Sequence, residues 1–398
     1  MDLETFRWLL TDEGQSLLAE ATTLVADGAS PLAAGTALRR TTTGDRAAAA
    51  LAQVELRGRA VAKLGDLAGR LYFTPDGLEQ ATRRRVAEHR AGRAAAFGAR
   101  TMIDLGCGIG GDLIASAQAG IVCAGVDLDP VRVAIAAANL AALDLGGAVQ
   151  VADATTIDHR AFDLAFADPA RRTGAGRSFR VEDWSPPWSW VESLLARDAC
   201  VKVAPGLPHR LVPDGVEAEW VSDAGEVKEA ALWAGRTATT ARRATVIPAS
   251  GGLASLTDED DPGAEAVGVR AVGPFLYEPD GAVIRAGLVT AVADGVHGGL
   301  IDPKIAYLTS DDAFHTPFAR GYRVIEELPY REKQLRAALR ARRVGTLTIK
   351  KRGVDVAPDA LRKRLALTGD EEATLVLTRV AGEGTALLVS PLTGSPAA

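Results

Sequence analysis

The sequence is poor in the residues from which metal centres and disulfide frameworks are made. Its three cysteines, Cys107, Cys123 and Cys200, are widely spaced among 398 residues, so they form neither a disulfide scaffold nor a CxxC metal pair. Five scattered histidines with no HExxH give no zinc pattern, and no metal is expected. Aromatic residues make up only 5% of the chain, so any local concentration of them calls for an explanation. No apolar run approaches the length of a membrane span, and the start, Met1-Asp2-Leu3-Glu4, has acids where a secretory signal needs a basic segment. These absences lead to the expectation of a reducing, cytoplasmic setting without membrane attachment. What is present is ordinary for a globular protein: 47% hydrophobic and 24% charged residues. The length suggests two or three domains at about 150 residues each.

Along the chain, Leu9, Leu10, Leu17, Leu18 and Leu24 recur at helical spacing and an Ala-rich stretch over 47–63 continues the pattern, which predicts a helical region over residues 1–95. At Met102 a short apolar strand runs into a glycine cluster, a helix and a second strand over 121–126. That β-turn-α-β unit opens a doubly wound sheet. Further strands are predicted at 148–152, 163–167, 199–203, 218–221 and 229–233, giving an α/β domain over 96–245. Residues 246–320 are rich in Gly, Pro, Ser and Asp in places and read only as a connecting region. A second, small α/β domain is expected over 321–398, with helices at 331–342 and 358–367 and strands at 344–349, 374–380 and 385–389.

The most informative segment is Asp104-Leu105-Gly106-Cys107-Gly108-Ile109-Gly110-Gly111-Asp112. Glycines at a strand end let backbone approach a ligand, and the helix that follows offers unpaired N–H groups. The glycines alone are ambiguous. Gly106, Gly108 and Gly111 satisfy the dinucleotide fingerprint GxGxxG, whereas Gly106, Gly108 and Gly110 satisfy the turn of S-adenosylmethionine-dependent methyltransferases. Three acids favour the second reading. Asp104, before the glycines, can meet a cationic amino-acid end but would repel a pyrophosphate. Asp127, closing the second strand beside Leu128, is placed to accept two ribose hydroxyls. Asp153, after the third strand beside Ala154, is placed to receive an adenine amino group. Against this stands the reading of single aspartates as helix caps and turn acids.

These residues resemble the class I methyltransferases. Phe73-Thr74-Pro75, Val86-Ala87-Glu88-His89-Arg90-Ala91, the turn ending Gly110-Gly111-Asp112, and Val126-Asp127-Leu128-Asp129-Pro130 look like the core of trimethylguanosine synthases, which methylate a cap guanine on N2. The resemblance implies S-adenosyl-L-methionine as cofactor and a 72–93 segment that covers it. The fourth strand ends in Asp168-Pro169-Ala170-Arg171-Arg172, which resembles the Asp-Pro-Pro-aromatic motif of enzymes that methylate exocyclic amines. Asp168 and Pro169 match and are the candidate catalytic pair; Ala170 and Arg171 depart from the motif. A replacement stacking platform is expected in Trp184-Ser185-Pro186-Pro187-Trp188-Ser189-Trp190, weighed against loop packing. Arg171, Arg172, Arg177 and Arg180 would suit phosphates or a substrate carboxylate. Lys202, inside the apolar strand, is a further candidate substrate residue, since lysine seldom lies in a central strand without a partner.

The total charge of −6 is unevenly spread. Between Arg320 and Leu367 fourteen Lys and Arg stand against five Asp and Glu, a net of +9 that leaves −15 on the rest. Such segregation is the footprint of phosphate-backbone binding, with Lys350, Lys351 and Arg352 as candidates, or else a solvated helix face. Leu328-Pro329-Tyr330-Arg331-Glu332 and the run from Gly345 to Val354 look like the THUMP-like module that follows bacterial methyltransferase domains, and true THUMP domains bind RNA. The expectation is a methyltransferase acting on a base nitrogen of RNA. The competing readings are a small-molecule or protein methyltransferase, and a cofactor- and RNA-binding protein without turnover.

Overall fold

The computed structural model describes residues 1–171 and 184–392. The chain divides into two compact units, the first comprising Met1–Val203, Leu207–Val216 and Ala231–Thr239, and the second Ala204–Gly206, Glu217–Ala230 and Thr240–Ala398.

The first unit begins with the helices α1 (Leu3–Leu9), α2 (Asp12–Ala26), α3 (Pro31–Leu38), α4 (Gly44–Leu64), α5 (Pro75–Gln80) and α6 (Arg84–Phe97). Their starts are written in the sequence: the side chains of Asp2, Thr11, Ser30, Thr43 and Thr74 accept from backbone N–H groups of the first turns they cap. There follow β1 (Thr101–Leu105), α7 (Gly111–Gln118), β2 (Val122–Asp127), α8 (Pro130–Ala142), β3 (Ala148–Val151), β4 (Leu164–Ala167), β5 (Ala170–Arg171), β6 (Trp184–Ser185), α9 (Trp188–Leu194) and β7 (Ala199–Val203). Five strands lie side by side in the order β7-β4-β1-β2-β3, every neighbouring pair parallel. The order reverses at β1, whose two neighbours are β2 and β4, which opens a crevice at the carboxyl ends of these strands. One core runs from Phe6 and Leu9 through Leu56, Phe73 and Ile109 to Phe166 and Trp233, so the helical region and the sheet share their apolar interior.

The second unit contains β8 (Glu217–Asp223), the first half of β9 (Glu226–Ala234), β10 (Arg242–Ile247), β11 (Ala254–Thr257), α10 (Ala264–Val267), β12 (Phe275–Pro279), α11 (Gly281–Ala286), α12 (Val289–Gly295), β13 (Gly299–Asp302), β14 (Ile305–Ser310), β15 (Ala319–Pro329), α13 (Glu332–Ala341), β16 (Val344–Lys351), α14 (Pro358–Leu365), β17 (Glu371–Val380) and β18 (Glu383–Pro391). Its seven-stranded sheet runs β13-β14-β12-β15-β18-β17-β16. Three of those strands, β12, β13 and β14, come from the 246–320 stretch, which the sequence suggested only as a connection. Short apolar runs broken by Gly and Pro gave no visible period there, yet β12 pairs on both sides, with β14 and β15. The expected boundary at 245/246 falls inside β10. The α/β fold with N-terminal helices and a small C-terminal α/β domain is otherwise as expected. Among the described residues, no helix is long and apolar enough to cross a membrane.

All three cysteines are buried and unbridged. Burial pushes the Cys107 thiol far up and that of Cys123 to about 12, so neither ionises near neutrality. Ellman's reagent at pH 8 is expected to find no reactive thiol in the native protein and three after denaturation.

Candidate active site

The glycine turn is shaped by backbone that side chains resist. Gly106, Gly108 and Gly110 have φ of 118°, 54° and 85°, in the region that favours glycine. The turn is pinned to the second strand: Gly106 and Cys107 N–H both donate to Val126 O at 2.9 Å, and Gly108 N–H donates to Asp127 Oδ2 at 3.0 Å. Asp127 Oδ1 accepts from Asp129 N–H at 2.9 Å. A Cβ on Gly110 would lie 3.2 Å from Ala136 Cβ, so this glycine is required for the close approach of α8 and for its backbone angle.

The turn opens onto a cavity of about 630 Å³ at the carboxyl ends of β1, β2 and β4, within the usual size of a small-molecule site. Of the residues expected from sequence, it is lined by Asp104, Gly106, Gly108, Asp127, Leu128, Asp153, Ala154, Asp168 and Pro169. Gly110, the N-cap of α7, packs against Ala136 of α8. Leu128 is 70% exposed inside the cavity wall, apolar surface available to a flat ring. Asp153 accepts from Thr155 N–H and Oγ1 at 2.9 and 2.7 Å, bonds that hold its carboxyl below the usual range. It therefore both caps a turn and faces the cavity.

Other lining residues were not named singly from the sequence but fall in the 72–93 segment and in the 184–190 stretch. Gly77, Gln80, Ala81 and Thr82, from α5 and the turn after it, form a wall of the cavity. A Cβ on Gly77 would lie 2.6 Å from Ile109 Cγ2, so that wall sits directly on the glycine turn. Asn139 ties the same parts together: its amide accepts from Tyr72 N–H at 2.7 Å and donates to Ile109 O at 2.9 Å. A lone buried Asn in an Ala-rich helix was the available clue. Ser185, Pro186 and Pro187 form the opposite rim, brought there by the antiparallel pairing of Ala170 with Ser185.

The electrostatics are dominated by carboxylates. Asp104 is 1% exposed, and its Oδ1 has no hydrogen-bond partner among the described residues. Burial first, then Asp112 and Asp168, pushes its carboxyl well above the usual range. Asp112 is paired with Arg90, whose guanidinium also lies 4.7 Å over the Phe166 ring. Lys202 Nζ lies 2.6 Å from Asp168 Oδ2 and donates to Thr82 Oγ1 at 3.1 Å. Its side chain is 16% exposed and sits directly behind the lining residues Asp168 and Thr82.

Other expected substrate residues are placed differently. Arg172, Arg177 and Arg180 lie outside the described residues, and only the backbone of Arg171 and Trp184, in β5 and β6, is described. Trp188 donates its indole N–H to Glu192 of its own helix at 3.0 Å, and neither Trp188 nor Trp190 is in the cavity lining. Lys350, Lys351 and Arg352 belong to the second unit. Lys350 is half-buried in a 2.7 Å ion pair with Glu278, and Arg352 stacks 5.6 Å over the Tyr307 ring, so both are committed internally; Lys351 is exposed.

A parallel sheet with a glycine turn, an acid at the end of each of the first two strands and an unsatisfied buried carboxylate oxygen fits a ligand with a cationic amino-acid end, a ribose and a flat base. Comparison with known proteins agrees. The chain is 39% identical over 350 residues to an uncharacterized S-adenosylmethionine-dependent methyltransferase of Mycobacterium tuberculosis (strain H37Rv), spanning 85% of this chain and 94% of that protein, with the same values for its counterpart in strain CDC 1551 / Oshkosh. The chain belongs to the S-adenosylmethionine-dependent methyltransferases, and S-adenosyl-L-methionine is its cofactor. The family described as THUMP domain-like matches residues 319–391, and a domain family of unknown function matches residues 2–60. The same fold is seen in the crystal structure of a candidate methyltransferase from Porphyromonas gingivalis W83, with a TM-score of 0.75, 22% identity, and 95% and 98% of the two chains covered.

Asp104 yields a test with a pH signature. Its unfolded-state carboxyl ionises near pH 4, whereas the folded protein retains the proton to much higher pH. Stability is therefore lost as pH rises from about 4 through the raised value. Asp104→Asn removes that penalty. It is expected to raise the melting temperature at pH 7 by roughly 2–4 °C, with the difference vanishing near pH 4, while calorimetry finds cofactor binding abolished.

Proposed function

We propose that this enzyme methylates a base nitrogen in RNA. The observation that carries the reading is the position of Asp168 and Pro169: they follow directly on β4 and line the same cavity as the glycine turn, Asp104, Pro186 and Pro187. A carboxylate and the backbone carbonyl beside it are suited to accept hydrogen bonds from an exocyclic amine and hold its lone pair in line. The bound cofactor supplies an electrophilic sulfonium methyl. Asp104 holds the amino-acid end, Asp127 the ribose, and Leu128, Asp153 and Ala154 the adenine. The accepting nitrogen gains the methyl and releases one proton to solvent. Pro186 and Pro187 offer the flat apolar surface that the motif's second proline and aromatic would otherwise provide. The likeness of the segments over 73–130 to trimethylguanosine synthases supports an amine on a purine as the acceptor.

The RNA part of the reading is supported by the THUMP-like match over 319–391. That segment carries fifteen Lys and Arg against nine Asp and Glu, a net of +6. Part of its charge is spent internally, in the pairs Arg336–Glu332, Arg364–Glu332, Arg342–Glu326 and Arg343–Asp370. Arg331, Lys333, Lys351 and Lys363 are exposed and are the proposed phosphate contacts.

Total RNA from a strain lacking the protein should accept labelled methyl from S-adenosylmethionine. Asp168→Ala should lower that transfer by about 100-fold and leave cofactor binding intact. Label recovered only in protein or small molecules would refute the RNA reading. Replacing Lys333, Lys351 and Lys363 with Gln should weaken RNA binding and flatten its salt dependence by about one unit of log–log slope per phosphate contact removed.

A further inference from the structure

From the wall of the cavity inward, charged and polar side chains form a continuous path that the cofactor reading does not use, with Thr82, Asp112 and Asp168 lining the cavity and Arg90 and Lys202 behind them. Arg90 of α6 pairs with Asp112 of α7. Thr82 Oγ1 donates to Asp112 Oδ2 at 3.0 Å and accepts from Lys202 Nζ at 3.1 Å. Lys202 Nζ in turn donates to Asp168 Oδ2 at 2.6 Å. The direction of every bond is fixed by its chemistry: an ammonium and a guanidinium only donate, a carboxylate only accepts, and the single hydroxyl proton of Thr82 is spent on Asp112.

The backbone explains why lysine meets aspartate here. In the parallel pairing of β4 with β7, Ala167 stands opposite Val201, so Asp168, just past the end of β4, and Lys202, inside β7, come level with each other and on the same face. An ammonium in a central strand, with a side chain only 16% exposed, is costly unless it is paired.

We propose that Lys202 is a positioning residue for methyl transfer: it fixes the orientation of the Asp168 carboxylate and, through Thr82, joins the reaction turn to the wall of the cofactor cavity. The inference rests on the reading of Asp168 as the group that holds the acceptor nitrogen. Lys202 Nζ is engaged by Asp168 Oδ2 and Thr82 Oγ1, so the role argued for it runs through Asp168. By engaging Oδ2 it sets the rotation of the carboxylate, which decides where the other oxygen points. A carboxylate without this tether samples orientations that misalign the nucleophile, and misplacement of about 1 Å is worth about 100-fold in rate. Thr82 belongs to the segment that forms the wall, so the ammonium is held from two elements at once.

The test compares full-length wild type with Lys202→Met, Lys202→Arg and Thr82→Val. Each is incubated with labelled S-adenosylmethionine and an extract of a strain lacking the protein, afterwards separated into RNA, protein and small molecules. Rates are measured at saturating cofactor, with cofactor affinity from calorimetry and melting temperature alongside. Lys202→Met should transfer methyl about 100-fold more slowly with cofactor affinity changed by less than roughly threefold. Lys202→Arg, which keeps a donor to Asp168, should recover most of the rate. Thr82→Val should lower the rate by about 10-fold, less than the loss of the ion pair itself. A wild-type rate in Lys202→Met overturns the proposal. So does a loss matched by equal falls in cofactor affinity and melting temperature, or an arginine variant no better than methionine. Should Lys202→Met not fold, Thr82→Val decides, and an undiminished rate in it overturns the proposal. Label confined to protein or small molecules refutes the RNA reading while the variants are still compared on that acceptor; no label in any fraction from wild type overturns both.

Discussion

Four carboxylates converge where the parallel strands end, and the first unit is organised around keeping them there. Asp104, Asp127 and Asp168 follow from β1, β2 and β4, and Asp112 sits in the first turn of α7. Mutual repulsion in a partly buried site would spread such a group apart. Two of the four are balanced by cations delivered from other elements, Arg90 from α6 for Asp112 and Lys202 from β7 for Asp168. Asp127 is satisfied by backbone N–H groups of the glycine turn and of Asp129. Asp104 alone retains a buried oxygen without a partner among the described residues, and it is the one that a cationic ligand would complete. Binding and folding thus draw on the same electrostatic deficit.

The positions of Asp104, Asp127 and Asp168 were legible because each lies at or beside the end of an apolar strand, the first of them next to glycines whose spacing has few other uses. The strands flanking them, and the helices and strands beyond residue 330, were legible for the same reason: their apolar periods are strong and their breaks are marked by Gly or Pro. What was not legible was partnership. Arg90 and Thr82 lay inside the 72–93 segment that the resemblance implied as a cover, with nothing to single out Asp112 as their partner, and Lys202 was conspicuous for its place in an apolar strand without any indication that Asp168 lay level with it. Those facts depend on the register between β4 and β7, which a single sequence does not encode locally. Gly110 shows a different ambiguity, since a glycine needed for backbone angle and for packing on Ala136 has the same signature as one that admits a ligand.

The basic C-terminal segment shows what a linear charge count leaves out. Its cations are interleaved in space with acids that are distant in sequence: Arg343 meets Asp370, Arg364 meets Glu332, and Lys350 meets Glu278, 72 residues earlier. Exposed pairs of this kind contribute little stability, but they lower the charge available to a phosphate backbone. The half-buried Lys350–Glu278 pair, with Tyr322 donating to the same carboxylate at 3.2 Å, fixes β12 and β16 to a common polar cluster, so the most basic tripeptide in the segment serves architecture at two of its three positions.

The shared core that runs from Phe6 to Trp233 bears on how this enzyme can be divided. The catalytic sheet looks like a self-sufficient module when the chain is cut at residue 96, but that cut would remove Arg90 and leave Asp112 with its charge uncompensated, a defect of about 3–5 kcal/mol. It would also strip Phe73 and Leu56 from the apolar interior. The helices that precede the sheet are therefore not an appendage grafted onto a methyltransferase. For protein engineering, the smallest transplantable unit with an intact interior begins at the first helix, and exchanging whole front ends would exchange part of the catalytic domain's core.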